Sequence, residues 1–158
     1  MMRICFVCSG NICRSPSAEI VLRSLLVREG LTDEVEVCSA GIGDWHVGEG
    51  PDRRSASALS ARGYDSSRHR ARQWERDWFP DHDLVVAMDE SHVRDLARMA
   101  GPAHIDKIRL FTSFGPDATH EDVPDPYYGG PDGFTHVLDV IEVGCRALLD
   151  DVRHRLPA

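Results

Sequence analysis

The run Arg3–Val7 (RICFV) is apolar enough for a buried strand, yet by Ser15-Pro16 the chain already carries a helix-start signal, an N-cap followed by proline at the first helical position. Ala18, Val21, Leu22, Leu25 and Leu26 then recur at helical spacing until Gly30 ends the segment. A strand that feeds a helix through one short loop commits the chain to alternating strands and helices. The rest of the sequence keeps to that order.

Val35 and Val37 alternate with polar residues in a second strand, and the loop GIGDWHVGEGP leads into a helix near Asp52–Arg62 closed by Gly63. Asp83–Met88 (DLVVAM) reads as a third strand, with Asp89 capping a helix that ends near Gly101. Lys107–Phe111 is a fourth. A proline-bearing loop, Thr112–Gly133, precedes a last amphipathic helix carrying Phe134, Val137, Leu138, Ile141, Cys145, Leu148 and Val152. The expected architecture is α/β, one domain over residues 1–158, with a four-stranded parallel sheet covered by helices on both faces. Ligands of such sheets bind beyond the carboxyl ends of the strands, where the first loop lies.

That loop runs Cys8, Ser9, Gly10, Asn11, Ile12, Cys13, Arg14. Of the five cysteines, only Cys8 has an arginine six positions on. A loop of this length can curl so that its backbone N–H groups converge on an anion, and the following helix adds its N-terminal dipole. Both effects favour the thiolate of Cys8 over the thiol. Arg14 offers a planar fork that matches two oxygens of a phosphate. Phosphoryl transfer through a cysteine also needs an acid for the leaving oxygen. The long loop offers Glu121, Asp122 and Asp125, and Asp125 is stiffened between Pro124 and Pro126.

Other uses of these residues fit less well. In a Cys5-x-x-Cys8 redox pair the first cysteine opens a helix, whereas Cys5 lies inside the strand. A metal site from Cys5, Cys8 and Cys13 lacks a fourth nearby ligand and the usual spacing. An odd cysteine count is a poor disulfide framework and fits reduced thiols in a cytosol. The net charge of -8 argues against a general nucleic-acid binder. No apolar run is long enough for a membrane span or a signal peptide, so a cytoplasmic protein is expected.

The segments VCSGNICRSPSAE, SAGIGDWHVG, HRARQ, VVAMDESH and DVPDPYYGG together resemble the low-molecular-weight protein tyrosine phosphatases over nearly the whole chain. The resemblance implies a Rossmann-like phosphatase fold and a phosphatase that needs no metal or other cofactor. It implies Cys8 as nucleophile, Arg14 as phosphate clamp, and Asp125 as general acid and then base. Ser9, Gly10, Asn11, Ile12, Cys13, Arg14 and Ser15 would cradle the phosphate, with Ser15 donating to the Cys8 sulfur. Asn11 would hold the loop's shape, supported by Ser39 and His69. Trp45, His46, Tyr127 and Tyr128 would form the substrate rim.

Cys13, in the same loop as Cys8, is the expected redox partner of an oxidised Cys8. The expected partners are tyrosine-phosphorylated proteins, with no nucleic acid and no membrane, and the expected state is a monomer. Arsenate reductases share the scaffold but relay a disulfide through further cysteines, and none lies between Ala40 and Gly144. Protein arginine phosphatases carry Thr where this chain has Ile12, an apolar wall suited to a phenyl ring. A phosphate-binding module without catalysis would not need both Cys8 and Asp125.

Overall fold

In the computed structural model, which describes residues 1–157 without the side chains of Tyr128 and Pro131, four parallel strands form one sheet. They are β1 (Met2–Cys8), β2 (Val35–Gly41), β3 (Leu84–Ala87) and β4 (Ile108–Leu110), in the order β2-β1-β3-β4. The helices are α1 (Arg14–Glu29), α2 (Arg53–Ala61), α3 (Glu90–Ala100) and α4 (Pro131–Arg155). The strand order turns around between β1 and β3, so the crevice beyond their carboxyl ends is the topological switch point. The Cys8–Arg14 loop occupies that crevice.

Strand alternation sorts the core into two layers. Ile4, Phe6 and Cys8 of β1 face the side built from α1 and α4, with Val21, Leu22, Phe111, Ile141 and Leu148. Cys5 and Val7 face the other side, with Trp74, Phe79 and Leu96. Each large apolar side chain buried in these layers contributes about 1.5–3 kcal/mol, enough to fix the strand register that places the loop. No helix among the described residues is long and apolar enough to cross a membrane.

Strand ends shift by a residue from the sequence reading, as at Met2–Cys8 and Leu84–Ala87, and other boundaries differ for local reasons. The first helix starts at Arg14 with Cys13 at its N-cap, not at Ser15, because the Ser15 hydroxyl is drawn into the loop and caps nothing. The last helix starts at Pro131, ahead of Phe134, with proline in its first turn. The fourth strand ends at Leu110, and Phe111–Ser113 turns as 3-10 helix. A further 3-10 segment, Arg76–Asp81, precedes β3 and packs Phe79 into the second core layer.

Candidate active site

The loop after β1 directs its carbonyls outward. Cys8 O accepts from Ile42 N at 2.8 Å, Ser9 O from Gly43 N at 3.0 Å, Asn11 O from His69 Nε2 at 2.7 Å and Ile12 O from Asp52 N at 2.9 Å. Cys13 O accepts from both the amide and the hydroxyl of Ser17. None of the N–H groups of Ser9 through Arg14 donates to another group among the described residues. Of the carbonyls from Cys8 to Cys13 only that of Gly10 has no partner among the described residues, and with its donors unspent the loop has the form of an anion-binding nest.

Asn11 makes this shape possible. Its φ of 60° lies in the left-handed region, which costs a residue with a side chain about 1 kcal/mol or more. Its amide is held at every polar position. Oδ1 accepts from Arg72 N at 3.0 Å, and Nδ2 donates to Ser15 Oγ and Ser39 Oγ, each at 2.9 Å. Gly41 at the end of β2 allows the close approach that supports the loop, since a Cβ there would meet Ser9 O at 2.9 Å.

The hydrogens of this network can be accounted for. Ser39 sends its one hydroxyl hydrogen to Glu19 Oε1 at 2.7 Å, and Glu19 is anchored in turn by Arg23 at 2.7 Å. Ser15 already accepts from Asn11, so its own hydrogen is free to point at a second acceptor. Cys8 Sγ lies 2.9 Å away and Ala40 O 3.3 Å away. The nearer sulfur, once deprotonated, is the stronger acceptor, so the chain from Glu19 through Asn11 ends in a donor aimed at Cys8. Replacing Asn11 by Ala leaves the left-handed turn without its ties. We expect a loss of about 2–4 kcal/mol in stability and of about 10²-fold in turnover, measured by denaturant unfolding and aryl phosphate hydrolysis.

Arg14 is 3 % exposed and half engaged. Its Nη1 donates to Asp89 Oδ2 at 2.8 Å and to Val123 O at 3.0 Å. No hydrogen bond from Nε or Nη2 occurs among the described residues; Nη2 only approaches Asp125 Oδ2, at 3.5 Å. One edge of the guanidinium is thus fixed to protein while the other remains for two anion oxygens. Asp89 caps α3 through His92 N and accepts from Ser91 as well as Arg14. Burial pushes its carboxyl up, but the hydrogen bonds from Ser91 and Arg14 outweigh this and hold it below the ordinary aspartate value.

His92 is buried behind the loop with Nε2 at 2.9 Å from Ser9 Oγ. Its Nδ1 stands 3.3 Å from Asp89 Oδ1 without hydrogen-bonding geometry. Burial lowers the basicity of His92 despite Asp89, so the imidazole is neutral near pH 7 and adds no charge to the nest. His69 shifts the same way for the same leading cause, and its Nε2 donates to Asn11 O.

Of the three carboxylates singled out in the long loop, Glu121, Asp122 and Asp125, only Asp125 lines the cleft. Asp122 instead accepts from Glu90 N at 2.9 Å, and Glu121 is exposed. Asp125 also accepts from Tyr127 N at 3.0 Å, which starts a short 3-10 turn over Pro126–Tyr128. Arg54 ties this turn to α2 through Tyr127 O at 2.9 Å while pairing with Asp52.

The cleft, about 520 Å³, is lined by Cys8, Ser9, Gly10, Ile12, Cys13, Arg14, Trp45, His46, Asp125 and Tyr127. Trp45 is 69 % exposed, and the His46 and Tyr127 rings are 6.4 Å apart across the rim. The Tyr128 side chain, expected on the same rim, lies outside the described residues. A wider groove of about 710 Å³ near Met1, Asp33 and Arg155 has no cysteine, serine or threonine among its described lining residues. Sequence reasoning missed Glu19, Arg54, Arg72 and His92 as supports, and saw Asp89 only as a helix cap. The signal for Asp89 and His92 was present in VVAMDESH, whereas Arg72 acts mainly through its backbone amide, which no residue type advertises.

The profile of the family "Low molecular weight phosphotyrosine protein phosphatase" matches residues 3–158. The chain is 48 % identical to a low molecular weight protein-tyrosine-phosphatase of Streptomyces coelicolor, covering 98 % of this chain and 95 % of that one. It is 39 % identical to the low molecular weight phosphotyrosine protein phosphatase of Sus scrofa, over 95 % of each chain. The crystal structure of YfkJ from Bacillus subtilis superposes with a TM-score of 0.92 at 35 % identity, covering 99 % of this chain and 98 % of that one. With Cys8, Arg14 and Asp125 gathered on one cleft of this fold, the chain belongs to the low molecular weight protein-tyrosine-phosphatase family.

Proposed function

We propose that this protein hydrolyses phosphotyrosine in proteins through a cysteinyl-phosphate on Cys8, within the cytoplasm and without a metal. The observation that carries the reading is the set of unspent amides from Ser9 to Arg14 around the Cys8 sulfur. A phosphate seated there receives backbone donors and the free edge of Arg14, which stabilise the charge on its equatorial oxygens during transfer. Cys8 attacks phosphorus from below, the phenolic oxygen leaves upward, and Asp125 on the cleft wall gives it a proton. The same carboxylate then takes a proton from water as water attacks the cysteinyl-phosphate, releasing inorganic phosphate and the thiolate.

Specificity follows from the walls. Ile12, Trp45, His46 and Tyr127 offer apolar and aromatic surface to a flat ring at the depth where a phosphate reaches the nest. Phosphotyrosine peptides should be cleaved far faster than phosphoserine or phosphoarginine peptides, in excess chelator. Equal turnover of phosphoarginine, or activity that returns only with added metal, would contradict this reading.

Asp125→Ala tests the acid. The expected loss in kcat/KM, which reports the phosphorylation step alone, is about 10²–10³-fold for phenyl phosphate and much smaller for a nitrophenyl ester, whose phenolate leaves without help. Equal losses on both substrates would remove Asp125 from the role.

Cys13 opens onto the same cleft as Cys8, and we assign it to a reversible Cys8–Cys13 disulfide after peroxide oxidises Cys8 to a sulfenic acid. Burial, then the charges of Asp52, Cys8 and Asp125, push the Cys13 thiol well above its ordinary range. The resolving step should therefore be slow near pH 7 and accelerate with pH. Wild type treated with peroxide should regain activity in dithiothreitol, and Cys13→Ala should not; full recovery of the variant would exclude the pairing.

A further inference from the structure

A second group of chemically able side chains lies in the core layer across the sheet from the Cys8 side chain. Cys5 of β1 and Cys38 of β2 are register partners on neighbouring parallel strands. His82, between the Arg76–Asp81 turn and β3, brings Nε2 to 3.5 Å from Cys38 Sγ. The three ligand atoms, Cys5 Sγ, Cys38 Sγ and His82 Nε2, all lie within 4.8 Å of one another. We propose that Cys5, Cys38 and His82 form a binding site for a thiophilic divalent cation, Zn²⁺, separate from the phosphatase centre.

The geometry is already close to that of a filled site. Zn–S bonds of about 2.3 Å and Zn–N bonds of about 2.0 Å in a tetrahedron place ligand atoms about 3.5–3.8 Å apart. The Cys38–His82 pair stands at such a spacing, so only a small contraction of the group is required. The imidazole is also oriented for the task. His82 Nδ1 lies 2.8 Å from Trp78 O, a carbonyl that can only accept, so Nδ1 carries the hydrogen. In the neutral ring Nε2 is then the lone pair, and it is the atom aimed at Cys38. A histidine whose remote nitrogen donates to a backbone carbonyl is the usual support for a metal ligand.

Access and charge agree with this assignment. A groove of about 240 Å³ is lined by Cys38 and His82 with Arg3, Ile4, Glu36, Arg72, Trp78 and Asp81, and Cys5 is buried beneath it. Two arginines and two carboxylates of that groove offset one another, so the sulfurs would supply the affinity. In the bound state both sulfurs are thiolates: any proton a sulfur still carries passes to solvent as its bond to Zn²⁺ forms, and the imidazole, with a water from the groove, completes four-coordination. The site is independent of Cys8, because Cys5 and Cys8 lie three apart on β1 and face opposite layers of the core.

The test uses the reduced Cys8→Ser protein, so that the nucleophile cannot bind metal. Titration with Co²⁺ should give a thiolate-to-cobalt charge-transfer band and tetrahedral visible bands at one equivalent, and one equivalent of Zn²⁺ should abolish them. Adding Cys38→Ser or His82→Gln should each weaken cobalt and zinc binding at least about 10²-fold. Turnover by the single variants Cys38→Ser and His82→Gln, which carry the intact nucleophile, verifies that each remains folded. No charge-transfer band, or a band unaltered in either ligand variant, would overturn the assignment.

Discussion

Replacing Cys8 by Ser is expected to reduce turnover by at least about 10⁴-fold while leaving the protein able to bind inorganic phosphate. A serine hydroxyl at this position is almost fully protonated near neutrality, and the Ser15 donor 2.9 Å from the Cys8 sulfur stabilises far less charge on it. The donors that hold the anion belong to the backbone from Ser9 to Arg14 and to the Arg14 edge, none of which the substitution removes. Steady-state assays and phosphate titration of the variant check both halves. Loss of phosphate binding together with loss of turnover would mean that the nest itself had collapsed, or that its unspent amides do not hold the anion.

Arg14→Lys comes next in size, with an expected loss of about 10³-fold in turnover. The substitution keeps the positive charge and removes the fork. In the native site Nη1 is spent on Asp89 and Val123 O, and this is what turns the Nε–Nη2 edge toward the cleft. One ammonium cannot both satisfy those two acceptors and bind two phosphate oxygens. It also leaves the partly buried Asp89 without its geometry-specific partner, so thermal stability should fall. Turnover within about tenfold of wild type would show that charge alone is sufficient and would contradict the bidentate role.

The sequence carried most of the fold and the grouping of Cys8, Arg14 and Asp125 on one cleft, for reasons that are local. Strand, glycine-bearing loop and helix start are written consecutively in Arg3–Leu26, and the alternation along β1 settles which residues share a face. What it did not carry depends on register or on main-chain atoms. Ser15 looks like a helix cap because hydroxyls usually serve there, but its oxygen is claimed by Asn11 and its hydrogen by Cys8. The Asn11 side chain is locked by the amide of Arg72, and Arg14 by the carbonyl of Val123, contacts that any residue type could make. Cys5 reads as pointing away from Cys8, and it does. Its neighbour Cys38 emerges only once β1 and β2 are aligned.

The central claim is that phosphate passes through the Cys8 sulfur. The most direct measurement is rapid quenching during the first turnover of a nitrophenyl phosphate, followed by peptide mapping of the phosphorylated enzyme. The account predicts phosphate on Cys8 in wild type, accumulating further in Asp125→Ala because hydrolysis of the intermediate loses its base, and no phosphorylated peptide in Cys8→Ser. Phosphate on any other residue, or burst-free turnover with no phosphoenzyme in either the wild type or the Asp125→Ala variant, would contradict it.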